Sequence, residues 1–238
     1  MRTNMKRIGQ ESVITGALIG AVLIGALIVV AAPASATIWT DWTSATVGAP
    51  GSAAGTLNGV AVAYAGEVDG AVTNGTAANW APNSSFIGGT VTTSPSTVGD
   101  IIFLNGSFTG TGTITFASPI VDPVFAIWSL GAPGIPASFT FSLTPTFEVG
   151  GPNAQFGGTP ITVSGNVVSG NEGNGVVQFT GTFATISWTT TFENFYGFAV
   201  GTAEGSPSAS VPEPSTLLLL ASGLAGLGGV AWRRNRRG

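Results

Sequence analysis

The middle of the chain consists of short runs in which apolar and polar residues alternate. Apolar side chains occupy every second position in five of these runs, at residues 60–64, 114–116, 139–143, 161–163 and 184–188. A period of two residues, filled by β-branched and aromatic side chains, is typical of strands that bury one face. Threonine at many intervening positions keeps the other face polar without adding charge. The pattern therefore predicts an all-β domain.

Two further runs, residues 101–104 and 124–130, are apolar on both faces. We expect both to be central strands of a two-layer stack. Turn sequences rich in Gly, Asn and Pro separate the runs, at Asn74-Gly75, Asn105-Gly106, Gly151-Pro152-Asn153 and residues 171–175. About ten strands at this spacing predict an antiparallel, jelly-roll-like β-sandwich over residues 37–202. Residues 203–210 are small and polar, which is typical of a linker.

The first 36 residues have the three parts of an export signal. Arg2, Lys6 and Arg7 form a basic start, and an apolar stretch follows them. Ala34 and Ala36 provide the small residues that signal peptidase requires, so we expect passage through the Sec translocon and cleavage after Ala36. The alternative is an uncleaved membrane anchor, because about 20 apolar residues are enough to span a bilayer.

The last 28 residues also have three parts. Residues 211–216, which begin Val211-Pro212-Glu213-Pro214, are extended because neither proline can continue a helix. Residues 217–232 form an apolar, Gly-rich segment that predicts a short transmembrane helix. A basic cluster closes the chain at residues 233–238, in Arg233, Arg234, Arg236 and Arg237. Basic residues flank both hydrophobic segments on their outer sides, which predicts that the residues between them are exported.

This tail resembles the PEP-CTERM sorting signal over its whole length, from Val211 to Gly238. The resemblance implies processing by an exosortase, a membrane transpeptidase, with membrane attachment through the C-terminal helix beforehand. It further implies an envelope, cell-surface or extracellular-matrix protein of a Gram-negative bacterium that makes exopolysaccharide. The stretch from Gly112 to Gly201 also resembles the uncharacterised β-rich ectodomains that precede such tails, which implies no particular activity. An ordinary C-terminal anchor is the alternative.

Charge excludes several classes of function for the exported part. Residues 37–211 contain nine acids but no Lys, Arg, His or Cys. Disulfides are therefore impossible, and no basic patch is available for nucleic acid. A zinc site of His or Cys ligands and a His, Lys or Cys catalytic group are excluded as well. We expect no catalytic residues, no metal and no other cofactor.

Carboxylates remain as candidate groups for catalysis or for metal binding. Glu67 and Asp69 would share one face of a strand, and a pair of carboxylates across a cleft can hydrolyse glycosides. The same pair could bind calcium, and Glu172 in its Gly/Asn loop is another candidate ligand. We favour the simpler interpretation, which is that Glu67 and Asp69 lie at a solvated strand end and that Glu172 is exposed.

Tryptophan side chains could stack on sugar rings. Trp128 and Trp188 lie within strand patterns, which favours core packing. Trp80 lies in a polar loop sequence and is the candidate for a ligand contact. Two hypotheses of different classes follow. The first is a non-enzymatic surface or matrix protein, associated with exopolysaccharide, and the alternative is a carbohydrate-binding module. A two-carboxylate hydrolase is the third and least favoured.

Overall fold

A computed structural model describes residues 36–75 and 77–202, and these two ranges contain sixteen β-strands. The first eight are β1 Ile38–Trp39, β2 Asp41–Thr46, β3 Gly48–Leu57, β4 Val60–Val68, β5 Gly70–Val72, β6 Ile101–Leu104, β7 Gly112–Val121 and β8 Pro123–Leu130. The other eight are β9 Ala137–Phe141, β10 Thr146–Gly150, β11 Thr159–Pro160, β12 Thr162–Ser164, β13 Val167–Gly170, β14 Gly173–Gln178, β15 Thr182–Thr190 and β16 Tyr196–Thr202. Three short 3₁₀ turns lie at Ala78–Trp80, Asn83–Ser85 and Pro95–Thr97. Within these two described ranges, no helix has the length and apolarity needed to cross a membrane.

The strands form two eight-stranded sheets. The first sheet has the order β10-β14-β8-β16-β6-β5, with β1 added to β16 and β11 to β14. The second sheet has the order β12-β13-β9-β15-β7-β4-β3-β2. The strands alternate between the two sheets along β6 to β9 and again along β13 to β16. Within this set of eight, every neighbouring pair is antiparallel, whereas the short β11 pairs with β14 in parallel. This interleaved order is that of a jelly roll, so the predicted antiparallel sandwich is confirmed.

An aromatic cluster fills the space between the two sheets. The ring of Phe125 on β8 lies at its centre, with ring centroids 5.0 Å from Trp188 and 4.9 Å from Phe198. Phe139 and Phe141 on β9 close the cluster from the second sheet, 5.5 Å and 5.2 Å from Phe125. Each of these rings is buried. The inward positions of the alternating runs thus form the core, as their period predicts.

The first sheet is buried on its outer face as well. Val124, Ala126 and Trp128 alternate with the inward residues of β8 and belong to a second hydrophobic cluster. The chain between β5 and β6 covers them with Trp80 and Phe86, whose rings meet edge to face at 5.1 Å. Both runs that are apolar on both faces are central strands, as predicted. Their second cover is a segment of 3₁₀ turns rather than another sheet.

Threonine and serine line the outer face of the second sheet. Thr115 on β7 lies opposite Thr185 on β15, and both side chains are exposed. Thr189 on β15 lies opposite the exposed Thr140 on β9, and Ser187 Oγ lies 2.9 Å from Ser142 Oγ. The predicted polar, uncharged face is therefore present on this sheet.

Candidate functional site

Most predicted sorting and cleavage residues lie outside the described residues. These are Ala34, Val211, Pro212, Glu213, Pro214, Arg233, Arg234, Arg236 and Arg237, together with the signal helix, the linker and the transmembrane segment. Ala36 is described and exposed. Thr37, the residue after the predicted cleavage point, is buried, and its backbone N–H donates to Thr92 Oγ1 at 2.8 Å. Thr93 Oγ1 donates to the Thr37 carbonyl, so this end of the domain is tied to the segment that covers the first sheet.

Trp80 does not contact solvent, which corrects its prediction as a ligand contact. Its side chain is 1% exposed, in the cluster that covers the outer face of the first sheet. The indole Nε1 donates to the Asp100 carbonyl at 3.0 Å, which satisfies its single donor. The polar sequence around Trp80 indicated an exposed loop. Instead, this loop covers a second hydrophobic cluster, and the Trp80 ring packs into that cluster. Trp128 and Trp188 are buried, as expected for core packing.

Glu67 is also buried, so the prediction of a solvated strand end is wrong for this residue. Its carboxylate accepts hydrogen bonds from the backbone N–H of Gly106 at 2.7 Å and of Ser107 at 3.2 Å. Ser107 Oγ donates to it at 2.9 Å. Asp69 is exposed, as predicted, and accepts a hydrogen bond from Asn105 Nδ2 at 3.0 Å. Glu67 therefore fastens the end of β4 to the loop between β6 and β7.

Asp100 is a second buried carboxylate, and no sequence pattern predicted its role. It accepts hydrogen bonds from the backbone N–H of Trp42 at 2.6 Å and of Gly75 at 3.0 Å. Burial raises the pKa of Asp100, and these two hydrogen bonds act in the opposite direction. Both partners are backbone groups, so the arrangement joins β2 to the segment that covers the first sheet.

Four loops meet at one end of the sandwich. Strands β6 and β8 run antiparallel to β14 and β16. The loops that follow β6 and β8 and the loops that precede β14 and β16 therefore lie at the same end of the sandwich. Glu172 lies in the loop before β14 and is partly buried, and Ser129 Oγ donates to its carboxylate at 2.5 Å. Glu193 lies in the loop before β16 and is 4% exposed. The structure thus brings together two carboxylates that are far apart in the sequence.

Burial raises the pKa of Glu193 above its usual value. The backbone N–H groups of Phe195, Asn194 and Gly131 favour its charged form, whereas the nearby Glu172 carboxylate raises its pKa further. Its Oε2 atom is buried and has no hydrogen-bond partner in the described part of the chain. One oxygen of this buried carboxylate therefore has an unused capacity to accept a hydrogen bond.

Aromatic rings surround the same place. Phe156, in the loop after β10, and Phe195, in the loop before β16, are 57% and 40% exposed. Their ring centroids lie 5.5 Å and 5.7 Å from that of the buried Trp128. We define the Phe156–Phe195 patch by Phe156, Phe195, Trp128, Glu172 and Glu193. Its members come from four separate segments of the chain, so no local sequence pattern predicted it.

The loop that carries Phe156 is fixed by a buried amide network. Asn153 Oδ1 accepts from the backbone N–H of Phe156 at 2.6 Å, and Asn153 Nδ2 donates to Asn174 Oδ1 at 3.0 Å. The Ser129 backbone N–H donates to the same Asn174 oxygen at 2.8 Å. The patch is therefore built on β8 and β14. Residues 36–75 and 77–202 contain no group of three or more acids placed to hold a metal ion.

A comparison with protein-family models finds a match in the tail of the chain. Residues 210–237 match the PEP-CTERM protein-sorting motif, which coincides with the tail from Val211 onward. A tail of this kind supports export and sorting to the cell envelope by an exosortase, which is a membrane sorting enzyme. No curated protein and no solved structure matches the chain.

Proposed function

We propose that this chain is a non-enzymatic cell-surface or extracellular-matrix protein whose ectodomain is delivered by exosortase-type sorting. The observation that carries the proposal is the PEP-CTERM motif at residues 210–237. Signal peptidase and the Sec translocon act at the other end of the chain, after which the ectodomain lies outside the cytoplasm. Association with exopolysaccharide is the role that we assign to it.

The three parts of the tail have separate physical roles in this proposal. Pro212 and Pro214 keep the motif extended at the membrane surface, because proline fixes its own backbone and biases the preceding residue away from helix. Glu213 is costly to draw into lipid and keeps the processing point at the interface. Residues 217–232 would span about 24 Å as a helix, and the arginine cluster keeps the end of the chain in the cytoplasm.

The ectodomain has features that suit a structural role outside the cell. Its core is closed by aromatic packing between two sheets, and the chain contains no cysteine. Because residues 37–211 lack Lys and Arg, ionic attachment of side chains to an anionic polysaccharide is not available. Contact with a polysaccharide would therefore use hydrogen bonding, stacking or bridging cations.

The test is a processing assay in a host that has an exosortase. We expect replacement of Pro212, Glu213 and Pro214 by alanine to leave the full-length protein in the membrane fraction. Replacement of the four C-terminal arginines by serine should lower the yield of shortened protein. Pro207→Ala, in the linker, is the matched control and should be processed like the wild type. If both tail variants release a shortened protein at the wild-type rate on immunoblots, the tail is an ordinary anchor.

Carbohydrate binding is the second candidate for the ectodomain. Trp80 no longer supports it, because that side chain is buried. The observation that favours it is the pair of exposed rings in the Phe156–Phe195 patch, next to a buried carboxylate oxygen without a partner.

A further inference from the structure

The Phe156–Phe195 patch differs from scattered surface apolar residues. Single exposed apolar side chains are common in soluble proteins and carry no meaning by themselves. Here two exposed phenylalanines flank one buried tryptophan, and the Phe195 ring also stacks on Phe103 with centroids 4.7 Å apart. The patch therefore offers ring surface to solvent on a rigid base of other aromatic rings.

Two buried polar atoms lie in this patch without partners. Trp128 Nε1 and Glu193 Oε2 have no hydrogen-bond partner in the described residues, although both side chains are more than nine-tenths buried. Leaving such groups unpaired is unfavourable, so the unpaired donor and the unpaired acceptor each call for an explanation, and Phe195 is a neighbour of both side chains. A bound molecule with hydroxyl groups would supply both partners, because a hydroxyl can donate and accept.

The charge of the patch limits the class of ligand. Its two titratable groups are Glu172 and Glu193, and the whole stretch from residue 37 to residue 211 has no cationic side chain. An anionic sugar would be repelled and would find no basic partner. A neutral sugar has an apolar face for the rings and hydroxyls for the carboxylates.

We propose that the Phe156–Phe195 patch binds a segment of neutral polysaccharide, with sugar rings against Phe156 and Phe195 and hydroxyl groups on Glu193 and Glu172. The inference deepens the carbohydrate-binding candidate above and rests on it. It is independent of how the tail is processed. Glu172 reaches the patch through the loop before β14, where its carbonyl accepts a hydrogen bond from Thr159 N–H at 3.2 Å, beside the Phe156 loop.

The experiment measures binding of defined oligosaccharides to the full-length protein by titration calorimetry. The protein is kept in a polyoxyethylene detergent, since detergents with sugar headgroups would compete for the site. The probes are the neutral hexasaccharides of β-1,4-linked glucose, β-1,3-linked glucose and β-1,4-linked mannose, with hexagalacturonate as the anionic comparison. We expect saturable binding of at least one neutral probe and none of the anionic one.

Variants separate the site from the general function. Phe156→Ala and Phe195→Ala should each weaken binding of the neutral probe about tenfold, because each removes a stacking surface. Phe147→Ala is the matched control, since Phe147 is 42% exposed but lies on β10 outside the patch. Its affinity should stay within about twofold of the wild type. Each variant is first checked by its melting temperature and its β-type circular dichroism spectrum.

Glu193→Gln distinguishes a binding role from a structural one. The fold disfavours the charged carboxylate, because burial raises the pKa of Glu193. The variant should therefore melt no lower than the wild type at pH 7 while its affinity for the neutral probe falls. If a neutral probe binds equally well to both phenylalanine variants and to Glu193→Gln, this patch is the wrong site although carbohydrate binding stands. If no neutral probe binds, both the site and the carbohydrate-binding candidate are wrong, and equal binding of hexagalacturonate contradicts the neutral class.

Discussion

Replacing Glu67 by alanine tests whether a buried carboxylate fastens β4 to the neighbouring loop. In the structure this side chain accepts three hydrogen bonds, from Gly106 N–H, Ser107 N–H and Ser107 Oγ. The bond to Gly106 is buried, so its donor would be left without a partner, at a cost of about 1–3 kcal/mol. The bonds to Ser107 are partly buried and can be replaced by water, which adds roughly 1 kcal/mol.

We therefore expect Glu67→Ala to lower the free energy of unfolding by about 3 kcal/mol. For a domain of this size, each kcal/mol corresponds to roughly 2–4 °C in melting temperature, which gives a drop of about 6–12 °C. Thermal unfolding followed by circular dichroism measures it. Glu67→Gln should fall between the two proteins, since the amide keeps one acceptor oxygen and can donate to the Ser107 hydroxyl.

Asp69→Ala is the matched control because it removes the same charge two residues away. Asp69 is exposed and accepts a single hydrogen bond from Asn105, so its replacement should change the stability by about 0.5 kcal/mol or less. If Glu67→Ala and Asp69→Ala melt within about 2 °C of each other, the carboxylate of Glu67 is solvated and the reasoning from its hydrogen bonds fails.

Four further outcomes are expected. Trp188→Ala should lower the free energy of unfolding by about 3–5 kcal/mol in denaturant titrations, because its ring contacts Phe125 and Phe198 in the core. The folded-state pKa of Glu193 lies above its ordinary value of 4.5. The stability that this group contributes is therefore complete below pH 4.5 and is lost as the pH rises through the folded-state pKa. Melting temperatures of Glu193→Gln, measured over the same pH range, should not show this loss. Exported protein should begin at Thr37 on N-terminal sequencing, and an intact Met1 would contradict cleavage of the signal. EDTA should not shift the melting temperature, because we expect no metal site. A metal bound to the native state alone would stabilise it by mass action, so a reproducible drop of several degrees with EDTA would reveal such a site.

The alternating runs predicted the sandwich because its inward residues are large and its outward residues are polar. The hairpin arms that extend the second sheet beyond β7 were harder to predict. Most of β3 is Gly, Ala, Pro and Ser, residues with little preference for strands. Gly55 shows why they are present: a Cβ atom there would lie 2.2 Å from the Asp41 carbonyl oxygen of β2. Close approach of two backbones selects small residues and removes the signal on which sequence patterns depend, which explains why β3 was not predicted.

The buried carboxylates and the patch were missed for a different reason. Glu67 looked exposed because acids usually are, and its partners at Gly106 and Ser107 are about forty residues away in the chain. Trp80 looked exposed because its neighbours are polar, although the feature that buries it is the outer face of another strand. Local pattern describes which face of a strand is covered, but it does not describe which distant loop provides the cover. Those contacts follow from the jelly-roll order, which only the folded chain supplies.

The absence of cationic side chains from residues 37–211 has a consequence for how the exported domain is stabilised. No ion pair can form between side chains in this part of the chain, so buried carboxylates depend on neutral donors. Asp100 relies on the backbone N–H groups of Trp42 and Gly75, and Glu67 relies on those of Gly106 and Ser107 together with a hydroxyl. These donors take position only when the strands and loops have formed. A stretch without Lys and Arg meets no positive-inside barrier during export. Its buried acids find their neutral donors only as the sandwich folds, because those donors come from distant strands and loops.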